Sequence, residues 1–209
     1  MLTSFARFAL ILYALAGFAS GANAQAANSM KTLADASVAA DAGDFRHAAN
    51  MLEPFAIQGD PVFMNALGDL YAQGGKDLPK DPAKAFTLYS RAAAKGYATS
   101  QRHVAVAYER GEGVQADPTL AQDWYVKAAG KGDALAQFAV GKRRATGEGL
   151  TQDYVQAYKW LTLATTGAPT GYEKTMREEA VALRTSITAK MSPLQLSDAQ
   201  RLVREWTPQ

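Results

Sequence analysis

GEGV at 111–114 returns as GEGL at 147–150, thirty-six residues further on. Two glycines around one residue are ambiguous by themselves. They can cradle a phosphate when they follow a strand and open a helix aimed at the ligand. They can also close one helix and turn the chain into the next. The flanking residues decide between these. At the same spacing Gln101 aligns with Gln137, Val104 with Val140 and Asp117 with Asp153. Ala121 likewise aligns with Ala157, Trp124 with Trp160 and Ala128 with Ala164. No strand pattern and no longer glycine pattern precedes either copy, so ERGEGVQAD (109–117) reads as a bend between helices.

The repeat extends towards the N-terminus. Asp81-Pro82 aligns with Asp117-Pro118, Tyr89 with Tyr125, Ala92-Ala93 with Ala128-Ala129 and Lys95-Gly96 with Lys131-Gly132. The first half of that unit is offset by thirty-seven, Tyr71 with Tyr108, so one residue has entered the turn QGGKDLPKD (73–81). A degenerate half-unit, GDFRHAANMLEPFAIQGD (43–60), precedes it, with Ala48, Met51 and Phe55 at helical spacing. A period in the thirties with helical apolar spacing marks an α-solenoid. Each unit reads as two antiparallel helices: about 61–73, 98–110 and 134–146, then about 82–95, 118–131 and 153–166. Asp60, Asp81 and Asp117 each precede a proline, a helix cap followed by the residue whose missing N–H is not needed there. Lys95-Gly96 and Lys131-Gly132 place a cation in the last turn and a residue free to turn left-handed after it.

Ala98, Gln101, Val104, Tyr108, GEGV, Asp117, Ala121, Trp124-Tyr125, Lys127-Ala128-Ala129 and Lys131-Gly132-Asp133-Ala134 together resemble the Sel-one-like repeat, a relative of the tetratricopeptide repeat. The likeness covers about 60–166. It implies an all-α, right-handed α-solenoid of antiparallel helix pairs that binds other proteins, as adaptors of signalling or envelope complexes do. Two positions depart from the pattern. Arg144 stands where Tyr71 and Tyr108 stand, and Ala105 where Gly68 and Gly141 stand. Some secreted members carry cysteine pairs and are described as penicillin-binding or β-lactamase proteins; this chain has no cysteine.

The ends of the chain differ from the repeats. Arg7 is the only charged side chain before Lys31, the run from Phe8 to Phe18 is apolar, and Ala22-Asn23-Ala24 follows. These are the three parts of a secretory signal peptide, with cleavage expected after Ala24 and a periplasmic or secreted product. No later apolar run is long enough for a membrane span. The expected organisation is a signal peptide over 1–24, a degenerate helical repeat over 25–59, three repeats over 60–169 and a helical cap over 170–209. In the cap, 172–191 is amphipathic, and Ser192, Pro193 and Gln195 form a capping box. Leu196, Ala199, Leu202, Val203 and Trp206 fall near one face of that last helix, which covers the final repeat or docks a partner.

A formal charge of +2, or +1 without Arg7, provides no field for nucleic acid. The motifs SxxK, GxSxG and HExxH are absent, and neither His47 nor His103 has a second histidine at i+3 or i+4. Adjacent Glu178 and Glu179 cannot face one another on a helix. No catalytic residue, cofactor or metal ligand is assigned. The expected function is protein binding. An envelope hydrolase and a structural envelope protein are the alternatives.

The resemblance places the first helix of each unit on the concave side. With Gly68, Ala105 and Gly141 as equivalent core positions, Asn65, Arg102 and Phe138 stand three before. Asp69, Val106 and Lys142 stand one after; Ala72, Glu109 and Ala145 four after. These are expected to project into a groove, with Asn65, Asp69, Arg102, Glu109, Phe138 and Lys142 as the candidate partner-binding set. Arg144 is expected to lay its stem on apolar surface with its head in water, the alternative being a pair with an acidic residue of a partner.

Overall fold

The computed structural model describes residues 20–167 and 174–208, with side chains described from Gln25 onwards. Ten helices follow one another and no strand occurs among the described residues: α1 Ser20–Asp41, α2 Phe45–Ile57, α3 Pro61–Gln73, α4 Pro82–Ala94 and α5 Ala98–Arg110. They continue with α6 Pro118–Gly130, α7 Ala134–Thr146, α8 Tyr154–Gly167, α9 Lys174–Thr188 and α10 Pro193–Arg204. The chain divides into two compact units, residues 1–95 and 96–209.

The expected caps form. The Asp60 carboxylate accepts from the Val62 N–H, Asp81 from Lys84, and Asp117 from both Thr119 and Leu120. Each satisfies a donor that the first turn leaves open, with proline beside it. Gly111 and Gly147 end α5 and α7 in the left-handed region, at φ 70° and 82°. The glycines of GEGV and GEGL therefore close helices, because only there can the chain leave without Cβ strain.

In the first unit α1 buries Ser29, Leu33 and Ala36 against α2, which buries Phe45, Ala48, Ala49, Leu52 and Ala56. The half-unit at 43–60 thus packs with α1. Phe55 stacks on Phe63 with ring centroids 4.3 Å apart. The lengthened turn after α3 is held by α2. A Cβ on Gly75 would come within 2.7 Å of the Phe45 ring. Arg46 donates its backbone N–H to the Asp77 carboxylate and its guanidinium to the Asp77 carbonyl. The N–H of Arg46 holds the Asp77 carboxyl below its ordinary range. Despite the extra residue, Asp81 N–H still reaches Tyr71 O, as Asp117 reaches Tyr108 and Asp153 reaches Arg144. The backbone carbonyl closes the bend, so the side chain at 144 can change. Arg144 donates to Thr151 O across the turn at an exposed site.

In the second unit Tyr125, Ala128 and Ala129 of α6 pack with Ala105 of α5 and with Ala136 and Val140 of α7. Trp124 and Trp160 lie against this cluster. A second cluster joins Ala145 of α7, Ala157 and Leu161 of α8, and Ala180 and Ile187 of α9. The capping box at Ser192 and Gln195 forms in both directions, and α10 packs on α8 with Ala199 buried. Trp206 stands over the bend at Gly132, where a Cβ would lie 3.6 Å from its ring. Lysines occupy the matching place earlier in each unit: Lys95 Nζ stands 3.2 Å from a Cβ on Gly59, and Lys131 Nζ 3.9 Å from one on Gly96. The expected signal sequence lies, over residues 1–19, outside the described residues, as does the expected boundary at 169/170. The Ala24–Gln25 bond falls within α1.

Candidate functional site

In the first unit the face of α3 is bonded inward. Asn65 is buried and donates to Asp69 at 2.9 Å; Asp69 also accepts from the Tyr89 hydroxyl at 2.7 Å. The expectation that Asn65 projects into a groove does not hold. Its amide serves the carboxylate one helical turn on.

In the second unit Arg102 and Asp133 pair at 3.0 Å, with side chains 18% and 9% exposed. Asp133 also caps α7 through Ala136 N–H. Arg102 therefore ties α5 to the start of α7, a structural duty that its sequence position did not reveal. Glu109 accepts from the Tyr125 hydroxyl at 2.7 Å and pairs with Arg143, whose guanidinium lies 4.7 Å from the Tyr125 ring centre. Burial, then the bond to Glu109, pushes the Tyr125 phenol well above its usual value. Val106 lies half-buried between these two ion pairs along α5. Tyr125 and Arg143 were missed as members of this face. The signal for Tyr125 was a repeating tyrosine with a carboxylate one helix earlier. Arg143 carried none.

Phe138 is half-buried, and Lys142, though exposed, is paired. Phe138 packs on the cluster containing Ala180 and Ile187, and Lys142 pairs with Glu179 of α9 at 2.7 Å. Ala145, expected in the groove, is buried in the same cluster. No sequence rule tied 172–191 to the first helix of the third repeat, so this cover went unforeseen. His47 is exposed and His103 half-buried. Among the described residues no group of three or more His, Cys, Asp or Glu side chains gathers as metal ligands do. No described helix is long and apolar enough to cross a membrane.

What the face offers is ordered side chains rather than reacting groups: paired arginines, a half-buried valine and a tyrosine edge. The architecture is that of a helical-repeat binding protein. Residues 61–97, 98–133 and 134–167 each match the Sel1 repeat, and the chain belongs to the Sel1 repeat family. Sel1 repeat proteins are in general protein–protein interaction modules. The chain is similar in structure to c5321, a protective antigen present in uropathogenic Escherichia coli strains and displaying an SLR fold. The identity is 25% and the TM-score 0.64, covering 96% of this chain and 44% of that one. It is also similar in fold to a Sel1 repeat protein from Oxalobacter formigenes, at 24% identity and TM-score 0.60, covering 81% of this chain and 73% of that one. The chain thus spans less than half the length of c5321. No curated protein matches it.

Proposed function

We propose that this chain is a secreted, periplasmic interaction module, an adaptor or regulator of an envelope or sensor complex, that binds a protein partner through the first-helix face of its repeats. The observation that carries this reading is the ordered face of α5 and α7. Arg102 and Arg143 are each fixed by a carboxylate, on either side of Val106. Arginine held in place loses less rotamer freedom when a partner arrives, and arginine is among the residues that dominate binding interfaces. The signal-peptide pattern supports export, with Gln25 as the mature N-terminus.

A photo-crosslinking residue at Val106 in intact cells tests the binding face, with one at Gln115, in an exposed turn, as the control. The expected result is a discrete adduct from position 106 alone, which Arg102→Glu weakens. Adducts from 115 alone would sink the reading. Export is tested separately, by sequencing the N-terminus of protein from the envelope fraction. A retained Met1 in that fraction would overturn cleavage.

A further inference from the structure

The helix α9, which precedes the last described helix, packs over a face on which the repeats alone would leave Phe138 open and Lys142 without Glu179. We infer that α9 is a built-in occupant of the first-helix face, and that the external partner is an amphipathic helix with a carboxylate bordering its apolar stripe. This rests on the binding reading above and names its partner class.

Met176, Ala180, Leu183 and Ile187 fall at i, i+4, i+7 and i+11 on α9 and meet the cluster that Phe138 and Ala145 help to form. That is the anchor pattern of a helix lying in a groove. Glu179 borders the stripe and meets Lys142 at 2.7 Å. The three α7 residues it covers are those three before, one after and four after Gly141. One repeat earlier the same three positions are Arg102, Val106 and Glu109. A helix that only sealed the end of the stack would need to cover α8; this one also reaches α7.

The hold of α9 is light. Two of its side chains, Ala180 and Ile187, are buried, against four in α7. Its ion pair to α7 is half exposed, at 47% and 48%. A helix held in this way can exchange for another of the same pattern. While it is seated, it lowers the apparent affinity of any competitor by the fraction of molecules left open.

The probe is a fluorescein-labelled peptide of residues 174–191, read by anisotropy against the full chain. Ala180→Asp places a charge in the α9 contact and should release α9. The variant should bind the peptide at least about tenfold tighter than the wild type. Adding Lys142→Glu should weaken that binding at least about threefold, and a peptide carrying Glu179→Lys should restore it. Hydrogen exchange on the wild-type chain should show α9 amides exchanging at least about tenfold faster than those of α7 and α8. Equal protection of α9, α7 and α8 would overturn the inference. So would a folded Ala180→Asp chain that binds the peptide no tighter than the wild type. The exchange ranking is read on the unmodified chain, so it decides even if the variant does not fold. If these tests fail while crosslinking through Val106 persists, the binding reading stands and only the internal occupant falls.

Discussion

Tyr89 lies across Gly68 to reach Asp69, whereas Tyr125, its equivalent one repeat later, meets Ala105 and reaches Glu109 instead. A Cβ on Gly68 would stand 2.7 Å from the Tyr89 ring, so the glycine is the slot in which that ring rests. Ala105 fills the slot, and the hydroxyl finds its carboxylate one helical turn further along the first helix. In the third repeat Leu161 takes the tyrosine's place and packs on Gly141. Leucine has no hydroxyl to satisfy, and the two acid positions hold Lys142 and Ala145. The small residue, the ring and the acid vary together because a buried phenol must find an acceptor.

Gly68→Ala should therefore push Tyr89 off Asp69. Overpacking of about 1–3 kcal/mol, offset by about 1 kcal/mol of helix propensity, leaves a net loss of about 0–2 kcal/mol. The double change Gly68→Ala with Ala72→Glu copies the arrangement of the second repeat and should recover at least half of it. Urea midpoints decide this; no recovery would mean that the ring does not move as argued.

Tyr125→Phe removes one hydrogen bond but leaves Glu109 paired with Arg143. The expected cost is about 1–1.5 kcal/mol at pH 8. The folded phenol titrates above its unfolded value of 10.0. Its contribution is thus complete below about pH 10 and is lost as pH rises towards the folded value. Between pH 8 and 11 the wild type should lose more stability than Tyr125→Phe. Parallel pH profiles for the two would refute the assigned bond.

Arg102→Ala leaves Asp133 largely buried, with only its bond to the α7 backbone. A loss of about 1.5–3 kcal/mol is expected, as for a hydrogen bond to a charged group. A melting temperature within error of the wild type would show that this pair is only a surface contact. For the same reason, partner-binding tests at Arg102 need a stability control, which sequence position alone would not have called for.

Ala128 is fully buried between α5, α6 and α7. Ala128→Leu should overpack the unit by about 1–3 kcal/mol. The same change at Gln115, exposed in the turn, should shift the denaturant midpoint little. Equal shifts at both positions would contradict the packing.

The helices of the three repeats were legible because proline, aspartate and glycine punctuate them at fixed offsets. The helix α1 was not. Its sequence, SGANAQAANSMKTLADASVAAD, is dominated by small residues and carries a weak apolar stripe, so only packing on α2 reveals its role. The face residues were legible as positions, but their bonding was not. Asn65, Arg102 and Lys142 each find partners whose location depends on how helices meet: Asp69 one turn on, Asp133 thirty-one residues on and Glu179 thirty-seven on. Local periodicity predicts the first kind of contact and is silent on the last.

The lysines over Gly59 and Gly96, and Trp206 over Gly132, bear on how such a chain can lengthen in evolution. Each internal unit brings its own lysine to the glycine behind it; the last has Gly167 at that position and borrows Trp206 instead. A duplicated thirty-six-residue segment inserted before residue 134 would arrive with both halves of the contact and disturb nothing after it. The same segment appended after residue 167 would displace the tryptophan and separate the closing helices from the repeat they fit. Growth by internal duplication is therefore open to this architecture, and growth at its end is closed.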